Sequence, residues 1–274
     1  MIALDREIAA YYERGREEDR LRTGAGLLEY RRTQNLLRRF LPVPPARVLD
    51  VGGGPGRYAA WLAREGYEVT LIDPVPLHVE QARERASEHG FAALPGDARY
   101  LSFADESFDA VILLGPLYHL IERTERVAAL REALRVVRPG GIVVAAAISR
   151  FAWLFDGICR NLIADAGFAA IVERDLTDGQ HRAATDGRYF TTAFLHHPDE
   201  LLAEARDAGL AGAELLAVEG PWGQLPDLDE RHADPARWDA LLRAVALIER
   251  EPTLLGASIH FVVIGRKAIA SGRE

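Results

Sequence analysis

The chain runs to 274 residues, 49% hydrophobic and 27% charged, values that fit a globular protein and exclude a disordered or fibrous one. Its 33 basic and 41 acidic residues leave a net charge of −8, which argues against a broad phosphate-tracking surface and so against nucleic acid as a partner. No apolar run is long enough for a membrane-spanning helix, and the N-terminal MIALDREIAAYYERGREEDR is charged from Asp5 onward, unlike a secretory signal. One cysteine, Cys159, cannot form an internal disulfide and fits a reducing, cytoplasmic setting. Arginine supplies nearly all the positive charge, Lys267 being the single lysine; GC-rich coding accounts for that bias, which marks no site.

From about residue 46, short apolar runs alternate with helical patterns, the sequence form of βαβ units around a parallel sheet. Arg47 to Val51 reads as the first strand and is followed at once by Gly52-Gly53-Gly54-Pro55-Gly56. A helix through Ala59, Leu62 and Ala63 stops at Gly66, a common C-cap choice. Tyr67 to Ile72 is the second strand, ended by Asp73-Pro74, and Val75, Val79, Ala82 and Ala86 recur at helical spacing. Phe91 to Leu94 makes a short third strand before Pro95-Gly96-Asp97. Phe108 to Leu114 is apolar enough for a central buried strand. Val127, Leu130, Leu134 and Val137 give one helix face, terminated by Pro139-Gly140-Gly141, and Ile142 to Ile148 is a fifth strand. Four to five βα units in a row predict a doubly wound α/β fold.

Beyond residue 150 the pattern changes. Pro198 to Ala208 reads as a helix with His197 as N-cap and Gly209 at its end, and Ala213–Val218 and Ser258–Arg266 as strands pairing antiparallel at the sheet edge. The stretches 150–195 and 220–257 stay outside this scheme; loops that long are usually lids or binding segments. Residues before Arg47 look helical, anchored by Leu27, Leu28, Leu36 and Leu37.

Chemistry becomes legible at the glycine turn. Glycines at a strand-to-helix turn let backbone approach a ligand closely, beside the free N–H groups of a helix start. A dinucleotide fingerprint needs glycine at its first, third and sixth positions; here Arg57 fills the sixth, which weakens an NAD-dependent oxidoreductase reading. No Gly-Lys-Ser/Thr follows, so a P-loop is excluded. The segment Asp50-Val51-Gly52-Gly53-Gly54-Pro55-Gly56 resembles motif I of the class I S-adenosylmethionine-dependent methyltransferases. The resemblance runs over roughly 46–149, through Asp73, Gly96-Asp97-Ala98, the FADESFDAV stretch and RVVRPGG, and the last helix and two strands match the family's ending.

That resemblance implies a mostly parallel seven-stranded sheet with an antiparallel last strand, N-terminal helices and inserted cap segments. It implies one domain over 1–274, with core at about 46–149 and 198–267 and caps at about 1–40, 150–197 and 220–257. It also implies S-adenosyl-L-methionine as cofactor. Asp50, Gly52, Gly53, Gly54 and Gly56 are the expected turn. Asp73 with Pro74 takes the ribose hydroxyls, unless Asp73 merely caps the next helix. Gly96, Asp97 and Ala98 meet the adenine, and Leu114 and Gly115 face the methionine ammonium. Arg22 faces the methionine carboxylate with Tyr11 as a second contact, for which Tyr12 competes.

The expected reaction is direct displacement of a methyl group onto an N, O or C nucleophile of a small molecule, achieved mainly by alignment. In the family the segment after strand four runs beneath the methyl group, so His119 and Tyr118 are the candidates for base or acceptor orientation; packing is the competing role. An Asn/Asp-Pro-Pro-Tyr/Phe tetrad, typical of adenine and glutamine methyltransferases, is missing there. His181, His196 and His197 lie near the first cap, but adjacent histidines rarely share an ion, so no metal is expected. Trp153, Trp222 and Trp238 would suit an aromatic acceptor wall or core packing alike. A cofactor-binding regulatory protein without catalysis is the other reading the residues permit.

Overall fold

The computed structural model describes residues 6–182 and 189–269, so parts of the expected segments 1–40 and 150–197 lie outside the described residues. Two helices come first, α1 (Arg6–Tyr12) and α2 (Gly24–Phe40). The alternating core follows as β1 (Arg47–Val51), α3 (Arg57–Arg64), β2 (Glu68–Asp73), α4 (Pro76–His89), β3 (Ala92–Pro95), β4 (Phe108–Leu113), α5 (Arg123–Val136) and β5 (Val137–Ile148). Then come α6 (Ala152–Cys159), α7 (Ala166–Asp178) and a short ribbon of β6 (Gln180–His181) and β7 (Ala193–Phe194). The chain ends through α8 (Pro198–Ala208), β8 (Ala211–Ala217), α9 (Leu228–Ala233), α10 (Pro235–Ile248) and β9 (His260–Arg266).

Seven strands form one sheet in the order β3-β2-β1-β4-β5-β9-β8. The first five run parallel to their neighbours, and β9 lies antiparallel between β5 and β8. The expected antiparallel pairing of the last two strands at the sheet edge is present, with β9 on the inner side of the pair. Phe261, Val262, Val263 and Ile264 are all buried, alternating between the two helix-covered faces of the sheet, which suits an interior strand. β8, with Ala211 and Gly212 exposed, takes the edge.

Helices cover both faces. Leu36 and Leu37 of α2, Trp61 and Leu62 of α3 and Ala82 of α4 pack on one side, Leu130 and Ala133 of α5 with Leu201 and Ala205 of α8 on the other. The Pro139-Gly140-Gly141 segment lies inside β5 rather than before it. Val137 pairs with Phe108, and Gly140 N–H donates to Lys267 O at 2.9 Å, which draws the turn into the ladder.

The two stretches that showed no pattern hold helices. Asp165 caps α7, accepting from Phe168 N–H at 2.9 Å, and Asp234 caps α10, accepting from Ala236 N–H at 3.0 Å. Phe168 and Val172 in one helix and Trp238, Leu241 and Val245 in the other recur at helical spacing, a signal that scattered histidines and acidic groups obscured. Trp238 packs with Leu28, Leu228, Leu241 and Val245, so α9 and α10 buttress α2.

Arg126 locks α5 to α8 and to the segment after β4. Its side chain is 3% exposed, pairs with Glu204 at 2.8 Å, donates to the carbonyls of Leu120 (2.8 Å) and Ile121 (2.6 Å), and lies 3.6 Å over the Phe194 ring. Breaking a buried pair by removing one partner costs about 3–5 kcal/mol, because the other charge stays buried. Arg126→Ala should lose that much in urea unfolding; a loss within about 0.5 kcal/mol, typical of exposed positions, would show that the network carries no stability.

Candidate active site

The sheet order reverses between β1 and β4, and in a doubly wound fold ligands bind in the crevice that opens there at the carboxyl ends of the strands. A cavity of about 390 Å³ occupies that position. The turn after β1 supplies its floor with Gly52, Gly53, Gly54 and Pro55, above Asp50. The end of β2 adds Asp73, Pro74, Val75 and His78; the loop after β3 adds Asp97, Ala98 and Arg99; the segment after β4 adds Leu114 to Pro116 and Tyr118 to Ile121. Ile8 and Tyr12 of α1, Glu17, Arg20 and Leu21 of the α1–α2 connection, and Thr192 close it from above.

The glycines are dictated by contact and by backbone angle. A Cβ on Gly53 would lie 2.5 Å from Leu71 Cδ1 and 2.7 Å from Asp50 Oδ2, so no larger residue fits. Gly54 has φ of +56°, and a Cβ there would stand in the space before Glu17 and His78, its nearest atom 3.8 Å away.

Asp50 is wholly buried and neither carboxylate oxygen has a hydrogen-bond partner. Burial, reinforced by the negative charge of Asp73, pushes its carboxyl up to about 7. Asp73 accepts at Oδ2 from Gly54 N–H (2.9 Å) and at Oδ1 from Val75 N–H (2.9 Å), with His78 Nδ1 at 3.1 Å. A carboxylate offers about four acceptor sites, so capacity remains, though less than a free carboxylate would bring to a diol. Arg99 grips Asp97 at both oxygens (3.0 and 2.7 Å) and reaches Glu125 at 2.6 Å. Burial raises the Asp97 carboxyl, but its bonds to Arg99 outweigh this and hold it below the usual range.

Arg20 leaves 36% of its side chain open, and that opening faces the cavity. Glu17 holds its Nε at 2.6 Å and Glu29 its two terminal nitrogens at 2.5 and 3.1 Å. Behind Glu29, His260 Nδ1 lies 2.7 Å from Glu219, which also accepts from Ser258 Oγ at 2.9 Å. Burial disfavours the His260 charge, but Glu29 and Glu219 outweigh it and raise its pKa. Glu29, Glu219 and His260 stand close enough to share an ion, yet Arg20, Ser258 and one another already engage them.

At the opposite end, His119 Nε2 is 2.6 Å from Tyr12 Oη and its Nδ1 is 3.3 Å from Thr192 O. Burial pushes His119 down to about 4 and the Tyr12 and Tyr118 hydroxyls up. Tyr118 is buried beside His119, with ring centroids 4.8 Å apart.

The expected residues thus divide. Asp50, Gly52, Gly53, Gly54, Asp73, Pro74, Asp97, Ala98, Leu114, Gly115, Tyr118 and His119 share one wall. Gly56 and Gly96 stand behind it, where a Cβ would meet Phe91 at 3.0 Å and Ile72 at 2.9 Å. Arg22 points away to Asp19 at 3.1 Å and is 57% exposed, and Tyr11 packs edge-on to Phe190. Arg20 and Tyr12 occupy the wall in their place. No sequence signal separates Arg20 from Arg22; Gly26 marks only a close approach of its backbone to the Arg20 carbonyl, where a Cβ would lie 1.9 Å away. Among the histidines considered for a metal, His181 pairs with Asp175 (2.6 Å) and His196 with Glu204 (3.2 Å), and neither lines the cavity. Trp153 stacks on His181 and packs by Phe190, and Trp222 packs against the α9–α10 cluster; neither is in the wall.

Residues 48–141 match the family described as a methyltransferase domain. The chain is 30% identical over 223 residues to methyltransferase GfsG of Streptomyces halstedii, covering 73% of this chain and 76% of that protein. It is 31% identical over 199 residues to a ubiquinone biosynthesis O-methyltransferase of Azorhizobium caulinodans, covering 70% and 71%. The chain belongs to the class I S-adenosylmethionine-dependent methyltransferases. A demethylmenaquinone methyltransferase of Beutenbergia cavernae aligns more narrowly, 41% identical over 110 residues and spanning 44% of that protein. In fold, this methyltransferase resembles the crystal structure of an S-adenosylmethionine-dependent methyltransferase of Methanosarcina mazei, with TM-score 0.58, 19% identity, and 85% and 97% of the two chains covered. S-adenosylmethionine is therefore its cofactor, and the cavity suits that molecule chemically. An unpartnered buried carboxylate, a guanidinium open to the cavity and two further carboxylates with acceptor capacity complement an ammonium, a carboxylate, a ribose diol and an adenine amine.

Proposed function

We propose that this methyltransferase transfers a methyl group to a nucleophilic N, O or C atom of a small molecule, and that the cavity holds donor and acceptor together. Asp50 takes the methionine ammonium with the backbone at Leu114 and Gly115, and Arg20 the methionine carboxylate. Asp73 takes a ribose hydroxyl, and Asp97 with Ala98 the adenine. Bound there, S-adenosylmethionine supplies an electrophilic methyl group on a sulfonium. The chain's own part is to align the acceptor and exclude water, and positioning of this kind lowers barriers by about 7–11 kcal/mol.

The observation that carries the reading is the makeup of the one wall: Tyr12, Tyr118 and His119 close the cavity whose floor is the glycine turn. The wall holds three arginines, Arg20, Arg57 and Arg99, against five carboxylates, Glu17, Asp50, Asp73, Asp97 and Glu125, a balance unsuited to a nucleic-acid backbone. The O-methyltransferase among its relatives favours the same acceptor class. An exposed lone Cys159, with no helix among the described residues long and apolar enough to cross a membrane, supports a cytoplasmic setting. We read residues 1–274 as one domain with the two N-terminal helices and the 150–197 insertion as caps; the 220–257 segment, expected as a third cap, lines no part of the cavity and packs against Leu28 of α2 instead.

Two measurements test this. With labelled S-adenosylmethionine and a fractionated cell extract, label should enter the small-molecule fraction; label confined to RNA or protein would refute the acceptor class. In calorimetry, Asp73→Ala should weaken S-adenosylhomocysteine binding by about 1–3 kcal/mol, the value of a hydrogen bond to a charged group. Unchanged affinity in a folded variant would remove Asp73 from the ribose contact.

A further inference from the structure

We propose that Tyr12 and His119 act as a relay that takes the proton of a hydroxyl acceptor, Tyr12 meeting the acceptor and His119 storing the proton. The inference deepens the small-molecule reading above and rests on it. Two hydrogen bonds carry it. The Thr192 carbonyl can only accept, so the His119 Nδ1 lying 3.3 Å from it bears the hydrogen. Nε2 then holds the lone pair, and Tyr12 Oη donates to it at 2.6 Å. With both ring nitrogens engaged, His119 offers no lone pair of its own to a molecule in the cavity. Tyr12 lines the same wall, and its oxygen keeps lone pairs that can receive a proton. His119 is thus reached through Tyr12.

A hydroxyl is the acceptor such a pair serves. An aromatic amine, neutral near pH 7, attacks with a lone pair already free, whereas a phenolic hydroxyl gains nucleophilicity as its proton leaves. In the step, the acceptor oxygen bonds to the methyl carbon while the carbon–sulfur bond breaks and its electron pair stays on sulfur. The acceptor proton passes to Tyr12 Oη as the Tyr12 proton passes to His119 Nε2. The products are a methyl ether, a neutral thioether, a neutral Tyr12 and an imidazolium whose Nδ1–H still rests on Thr192 O. One positive charge leaves sulfur and one appears on imidazole, so the buried site keeps its net charge. Burial keeps His119 neutral beforehand, which leaves it able to accept. The groups facing it are Tyr12 from α1, Tyr118 beside it, Phe190, Asp73 at the end of β2 and His78 in the first turn of α4.

The test uses the full chain, with Tyr12→Phe and His119→Gln beside the wild type. Nitrogen NMR of histidine-labelled, cofactor-free protein should show His119 as the Nδ1–H tautomer with Nε2 accepting, and Tyr12→Phe should shift Nε2 toward a free lone pair. Transfer from S-adenosylmethionine is then measured with phenols of graded acidity and with matched amines. Phenols should be methylated and amines not. Both variants should lose at least 100-fold in kcat on un-ionised phenols, with S-adenosylhomocysteine affinity within twofold of wild type. Nitrophenols already ionised at the assay pH should recover most of that loss, a rescue that a packing role would not give. An Nε2–H tautomer, preferred transfer to amines, equal loss on ionised and un-ionised phenols, or no transfer to any phenol by protein that binds S-adenosylhomocysteine would overturn the relay. Wild-type protein that fails to bind S-adenosylhomocysteine would sink the underlying reading as well.

Discussion

Asp50→Asn is expected to flatten the pH dependence of stability of the cofactor-free protein and to weaken S-adenosylhomocysteine binding at least tenfold. The Asp50 carboxyl is buried without a partner and sits at about 7, against about 3.9 in an unfolded chain. Its protonated form is favoured in the fold, so its contribution is complete below pH 4 and is lost as pH rises toward and through 7. That loss is on the order of 4 kcal/mol. Thermal unfolding between pH 5 and 8.5 should fall with pH in the wild type more steeply than in the variant, whose amide does not ionise. Binding should move the other way. An ammonium seated on Asp50 needs the carboxylate, so below pH 7 wild-type affinity should drop about tenfold per unit while the weaker affinity of the variant stays level. Parallel pH profiles for the two proteins would show that Asp50 neither titrates in this range nor meets the cofactor.

The second large effect separates two arginines that are two residues apart. Arg20→Ala should lose S-adenosylhomocysteine binding by 100-fold or more and destabilise the fold by about 1–3 kcal/mol, less than a fully buried pair because 36% of the Arg20 side chain is open. Glu29, 10% exposed, would be left facing Glu219 with His260 alone between them. Arg20→Lys should recover part of the binding, because a point charge remains while the two-pronged grip on Glu29 is lost. Arg22→Ala should change neither property, since its partners Asp19 and Glu18 are met at the surface. Equal effects of the two alanine variants would show that the geometry of the α1–α2 connection does not select the cation.

The turn from Asp50 to Gly56 was readable because its requirements are local. A strand, a reversal and a helix start lie within a few residues, and glycine is demanded where φ is positive or where Leu71 and Asp50 crowd the backbone. Asp73 and Asp97 were readable for a related reason, Asp73 closing β2 and Asp97 lying two residues beyond β3, strands that had to end at the same side of the sheet. The helices α7 and α10 were missed although their caps and apolar spacing are present, because each contributes only a narrow buried stripe. Tyr12 over Tyr11 and Arg20 over Arg22 were not decidable, since neighbouring residues of one type differ only in the direction they face.

That direction comes from contacts far apart in the chain. Ile8 and Tyr12 pack on Val75, Thr192 Oγ1 donates to Glu7 at 2.7 Å, and Gly24 N–H donates to Asp229 at 2.7 Å. These contacts dock α1 and the start of α2 over the strand ends and turn Arg20, Tyr12 and His119 to the cavity. Alternating apolar runs and a glycine turn were enough to establish the doubly wound sheet and its donor crevice, because backbone angles and strand burial act over one or two turns. The partners of His119 and Glu29, and so their charge, depended on segments more than a hundred residues apart meeting in space: His119 with Tyr12, Glu29 with His260.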